Sequence, residues 1–154
     1  MLGLAPLKGL LYAVGGFHPP SYLADVTCYD PATDAWWPVA SLRDARREHG
    51  CAALEALGMV VVCGGYDGAR YVPSVEGWDP RAQSWRPLAP LKRPRQLLAC
   101  ASAGGCVYAV GGFDGKAAGT WVEVYDARKD QWRHETPLQG GPRMAHGLVT
   151  LPLM

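Results

Sequence analysis

Three times along the 154-residue chain an apolar run ends on a glycine pair with an aromatic residue directly after it. The pairs are Gly15-Gly16, Gly64-Gly65 and Gly111-Gly112, spaced 49 and then 47 residues apart. Other landmarks move in the same step. An aromatic-Asp pair recurs at Tyr29-Asp30, Trp78-Asp79 and Tyr125-Asp126, and six residues past each Asp stands a tryptophan, Trp36, Trp85 and Trp132. Leu42, Leu91 and Leu138 follow six further on; Arg46 and Arg95 lie four beyond their leucines, and Arg143 five beyond its own. So many residues in register over one period describe a single supersecondary unit used three times, each copy covering the next.

Within one period the pattern is that of four short strands. In the middle repeat they are expected at 47–55, 59–63, 72–78 and 84–89, separated by turns rich in Gly, Asp and Pro. The second, "MVVVC", is apolar throughout, as a strand covered on both faces should be. The fourth carries Pro87, which suits an edge. No window carries a helical apolar stripe, so the fold class is all-β. The glycine pairs let the chain leave the second strand through dihedrals closed to other residues. The Tyr/Trp of the third strand and the Trp of the fourth are suited to filling the space between twisted sheets. Each Asp opens a turn by bonding its own backbone.

Composition narrows the function classes. The net charge is +1 with 19% charged residues, which argues against a nucleic-acid surface. The basic run "LKRPR" (91–95) falls between repeats and is expected to be an exposed loop. No apolar run approaches the length of a membrane span. The five cysteines, Cys28, Cys51, Cys63, Cys100 and Cys106, are odd in number and lack CxxC spacing, which points to a reducing compartment: the cytoplasm, with the nucleus also open to it. His18, His49, His134 and His146 show no metal-ligand spacing, and no phosphate-cradling or nucleophile motif is present. No cofactor, metal or catalytic residue is expected.

The segments "LYAVGG…DVTCYDPATDAW", "VVVCGGYDG…PSVEGWDPRAQSW" and "VYAVGGFDG…WVEVYDARKDQW" resemble Kelch repeats, each of which is a four-stranded blade of a β-propeller. The form is most similar to the Kelch-like proteins, in which BTB and BACK domains precede six repeats. Departures are Thr27 for the usual Glu, Trp78 for Tyr and Ala127 for Pro. The resemblance implies three blades, half of a six-bladed ring and most like its C-terminal half: residues 1–42 with a truncated first strand, 43–91 and 92–138, then 139–154 as a closing innermost strand. Open edges at both ends invite self-association, two copies closing one ring being one form of it.

By that resemblance the chain is a protein-interaction module, the substrate-recognition part of a cullin-RING ubiquitin ligase adaptor whose cullin-binding BTB domain lies outside it. A cytoskeletal actin-binding Kelch protein and a propeller-scaffold enzyme are the alternatives. Loops carry recognition on a rigid scaffold, and the candidates for gripping a protein or an acidic peptide degron are Arg46, Arg95, Arg143, Tyr66, Asp67, Phe113, Asp114, Phe17 and His18. Guanidinium forks suit carboxylates and aromatics suit anchoring. The arginines would serve loop packing equally well, and Glu76 and Glu123, recurring at equivalent positions, are expected to be structural.

Overall fold

The computed structural model describes residues 2–144. Their strands form three four-stranded antiparallel sheets, each in chain order. The first holds β1 (Gly3–Leu7), β2 (Leu10–His18), β3 (Ser21–Asp30) and β4 (Ala35–Val39). The second holds β5 (Gly50–Leu54), β6 (Met59–Cys63), β7 (Val75–Asp79) and β8 (Ser84–Leu88), and the third β9 (Ala99–Ala103), β10 (Cys106–Val110), β11 (Val122–Asp126) and β12 (Gln131–His134). A single 3-10 turn, Glu55–Leu57, is the one helical piece among the described residues. The first strands of successive sheets, β1, β5 and β9, lie side by side, so the sheets are arrayed as blades around a common axis.

The all-apolar second strand explains how blades adhere. Alternate side chains of a strand point to opposite faces. Val60 and Val62 of β6 enter a core shared with Tyr12, Val14, Val26 and Cys28 of blade one. Met59, Val61 and Cys63 enter a second core with Val107, Ala109, Tyr125 and Trp132 of blade three. Each such side chain contributes about 1.5–3 kcal/mol by leaving water, and each does so only while two blades stay in contact.

The turns follow the expected chemistry. Asp30, Asp79 and Asp126 each accept a hydrogen bond through Oδ1 from the N–H two residues on, of Ala32, Arg81 and Arg128, at 2.8, 2.9 and 2.9 Å. The third turn forms the same bond with Ala127 where the others have Pro. Pro38 and Pro87 sit on β4 and β8, the outermost strands of their sheets.

Two boundaries differ from expectation. The inner strand expected from residue 47 starts at Gly50, because Glu48 takes a left-handed φ of 57° that breaks the extended run; Leu97 does the same at 55° one blade later. The third strand starts at Val75 instead of 72, because residues 72–74 serve the glycine pair: Val72 donates to the Gly65 carbonyl and Ser74 accepts from the Gly64 N–H. Blade one departs in another way. Its "FHPPSY" closes a tight hairpin with His18 opposite Ser21 and a register shift between Val14 and Gly16. The last ten residues of the expected closing strand lie outside the described residues.

Candidate functional site

The glycine pairs set the floor of one face. Gly16, Gly65 and Gly112 donate their N–H groups to the carbonyls of Arg46, Arg95 and Arg143, at 2.8, 2.9 and 2.8 Å. Each bond ties the end of one blade's second strand to the connection entering the next. The approach leaves no room for a side chain: a Cβ on Gly65, where φ is +104°, would lie 2.7 Å from the Arg47 carbonyl oxygen.

Beneath this floor Arg46 and Arg95 are wholly buried, at 0% exposure. Arg46 donates through Nη1 to the carbonyls of Gly64 and Ser74, and through Nη2 to Ser74 Oγ and Glu76 Oε1, the last at 2.8 Å. The other Glu76 oxygen accepts the Arg43 N–H at 3.0 Å. Arg95 repeats the arrangement with Glu123 and the Ala109 carbonyl, while Glu123 Oε2 accepts the Lys92 N–H at 2.7 Å. A buried charge needs both a partner and hydrogen bonds, and these two have them. Blade one has Thr27 at the glutamate's position.

Above the floor an aromatic row crosses all three blades. Phe17, Tyr22, Tyr66, Tyr71 and Phe113 follow one another with centroid separations of 5.1, 5.9, 5.5 and 6.0 Å. Arg47 places its guanidinium 5.1 Å from the Phe17 ring centre and 5.7 Å from that of Tyr66. Beside the row lies a groove of about 590 Å³ lined by Tyr66, Arg70, Tyr71, Arg93, Pro94 and Asp114. Arg93 stacks on Trp121 at 4.5 Å and pairs with Asp114 at 2.9 Å, yet remains exposed, as does Arg70. Asp67 and Asp114 face inward to their own turns. Partial desolvation works against ionisation of Asp67, but N–H bonds from Ala69 and Arg70 hold its carboxyl below the usual range. Bonds from the Ala117 and Lys116 N–H groups do the same for Asp114. The same carboxylates pair with the arginines, Asp114 with Arg93 at 2.9 Å and Asp67 with Arg70 at 3.5 Å, and both arginine side chains stay exposed beside the groove. Among the described residues no three His, Cys, Asp or Glu side chains are grouped as metal ligands would be.

The model of the Kelch motif matches residues 2–43, 47–92 and 94–139, one match to each of the three sheets. The chain belongs to the Kelch-repeat family. It is also similar to the influenza virus NS1A-binding protein homolog of Mus musculus, 42% identical over 53 residues, which is 34% of this chain and 8% of that protein. The match thus spans a small part of that relative's length.

Of the residues singled out in this Kelch chain as partner-binding, the structure gathers Phe17, Tyr66, Asp67, Phe113 and Asp114 on one face, with His18 exposed at the tip of the blade-one hairpin. Arg143 is exposed at the far end of the same face. Arg46 and Arg95 lie beneath this face instead of on it, their side chains turned inward and wholly buried against Glu76 and Glu123. Tyr22, Tyr71, Arg70 and Arg93 were not anticipated. The two tyrosines had a signal, since each stands six residues past the second glycine of its pair.

Proposed function

We propose that this chain recognises a protein partner on the loop face formed by the aromatic row and its flanking groove. The observation that carries this reading is the unbroken line of five rings over three blades, held on a backbone stitched by the glycine and arginine bonds. Kelch propellers generally serve as non-enzymatic interaction modules, and a relative named for binding a viral protein supports a protein-binding role. Exposed Arg70 and Arg93 beside Tyr66 and Tyr71 favour an acidic segment, because a guanidinium takes a carboxylate bidentately while an aromatic ring supplies apolar contact.

In this reading the chain is the substrate-recognition part of an adaptor for a cullin-RING ubiquitin ligase, the cullin being reached through a BTB domain outside the Kelch motifs. Its five free cysteines suit the reducing cytoplasm or nucleus. The test is comparative affinity enrichment. Partners held by the wild type should be lost with Tyr71→Ala combined with Arg93→Glu, and kept with Arg128→Glu, which lies in the turn between β11 and β12, away from the aromatic row. Retention of every partner by the double variant refutes the assignment of this face. Absence of any cullin from complexes of the gene's longest product refutes the ligase role alone.

A further inference from the structure

The aromatic residue near the end of each blade's third strand bonds the side chain five residues on, except in blade two. The Tyr29 hydroxyl donates to Asp34 Oδ1 at 2.8 Å, and the Tyr125 hydroxyl donates to Asp130 Oδ1 at 2.6 Å. Asp130 also accepts the Ala89 N–H at 2.9 Å, and the Trp132 indole N–H donates to the Ala89 carbonyl at 2.7 Å, sealing blade three onto blade two. Blade two holds Trp78 and Gln83 at the positions of that tyrosine and aspartate. Gln83 keeps the left-handed backbone of its counterparts, with φ of 50° against 53° and 48°, but bonds neither Trp78 nor Ala40.

The Trp78 indole N–H is consequently left without a hydrogen-bond partner, although the residue is only 2% exposed. The Tyr12 hydroxyl is its neighbour. Burial raises the pKa of that phenol and the indole N–H opposes the rise, yet the two do not reach hydrogen-bond geometry. A donor stranded out of water is destabilising until something accepts from it.

Space for an acceptor adjoins it. Between blades one and two lies a pocket of about 470 Å³ whose lining includes Tyr12, Cys28, Trp37, Trp78 and Gln83. The same place between blades two and three is filled. There Met59 and Leu88 stand where Leu10 and Val39 stand one blade earlier, and Gly77 replaces Cys28. Both side chains are buried, and they close over Gly77 so tightly that a Cβ on it would lie 3.0 Å from each. Leu10 and Val39 are only half-buried and leave the first pocket open.

The lining decides what fits. It holds no Asp, Glu, Lys, Arg or His, so an ion would lie there uncompensated. Trp37, Pro38 and Pro80 supply flat apolar walls. We propose that this pocket binds a neutral, planar small molecule bearing a carbonyl oxygen, which accepts the Trp78 N–H while its rings lie against Trp37 and the two prolines. Its volume and its mostly apolar lining with a few placed polar groups are those of small-molecule sites. It shares no residue with the aromatic row or the groove beside it, and so is a second site.

Fluorescence titration of the whole chain with Prodan tests this. Prodan is a neutral naphthalene ketone whose emission shifts to the blue in apolar surroundings; dimethylaminonaphthalene, which lacks the carbonyl, reports what the hydrogen bond adds. Saturable binding of a single Prodan per chain is expected. Trp78→Tyr with Gln83→Asp recreates the bonded pair of the other blades and should weaken Prodan about tenfold, with the far-ultraviolet dichroism unchanged. Trp78→Phe keeps an aromatic ring but removes the donor, and should weaken Prodan about fivefold while sparing dimethylaminonaphthalene. Trp37→Ala, on a partly exposed wall, should weaken both probes. Tyr71→Ala, on the aromatic row, should weaken neither. No saturable binding by the wild type overturns the proposal, as does full affinity in the Trp78/Gln83 double variant or in Trp37→Ala, or loss of both probes in Tyr71→Ala. An equal loss of both probes in Trp78→Phe overturns the assigned hydrogen bond.

Discussion

Arg46 and Glu76, thirty residues apart in the chain, meet at 2.8 Å with both side chains out of solvent, and together they fasten the entry of blade two to its third strand. Removing one partner of such a pair strands the other charge, at a cost of about 3–5 kcal/mol. Arg46→Ala should therefore lower the unfolding free energy by about that amount in urea titration, and Arg46→Met with Glu76→Leu should lower it less. Equal losses in the single and double variants would show that the charge pair is not what Arg46 contributes.

Trp132 and Trp36 hold the same position in the repeat in opposite environments. Trp132→Ala removes a buried indole and its bond to Ala89, and should cost about 3–5 kcal/mol. Trp36→Ala, measured under conditions where the chain is monomeric, should cost about 0.5 kcal/mol. Chemical denaturation of the two variants side by side decides it; comparable losses would contradict the exposure of blade one's outer face.

Glycine is demanded at some turns more than at others. Gly104, with φ of +57° and nothing near its missing Cβ, should accept alanine at the about 1–2 kcal/mol cost of a left-handed residue. Gly65→Ala adds a collision with the Arg47 carbonyl and should lose a further about 1–3 kcal/mol of stability. Thermal melts of the two variants make the comparison.

His49 occupies the place that Leu98 fills one blade later, and burial together with the Arg46 charge lowers its pKa from 6.5 to about 3. The folded state thus refuses a proton that the unfolded chain binds below pH 6.5. The contribution of His49 to stability should be flat above that pH and fall on acidification, approaching about 1.4 kcal/mol per pH unit down to about pH 3. His49→Leu should flatten this slope between pH 6.5 and about 5, as read from unfolding midpoints across the range. An unchanged slope would place the acid sensitivity elsewhere.

The repeat by itself determined the architecture. Glycine pairs, Asp-led turns and an all-apolar second strand are local requirements, and local requirements are legible because each is met by residues a few positions apart. The aromatic character of the loop face was also visible, at Phe17, Tyr66 and Phe113. What only the tertiary structure decided was direction. Arg46 points inward to Glu76 while Arg93 points outward. The repeat sets Arg46, four past its leucine, apart from Arg93, two past Leu91, yet spacing does not show which way either side chain points, because that depends on whether a carboxylate from a distant strand reaches the same depth. Trp36 carries the same lesson: identical in sequence role to Trp132, it is exposed because burial belongs to the neighbouring blade and not to the residue.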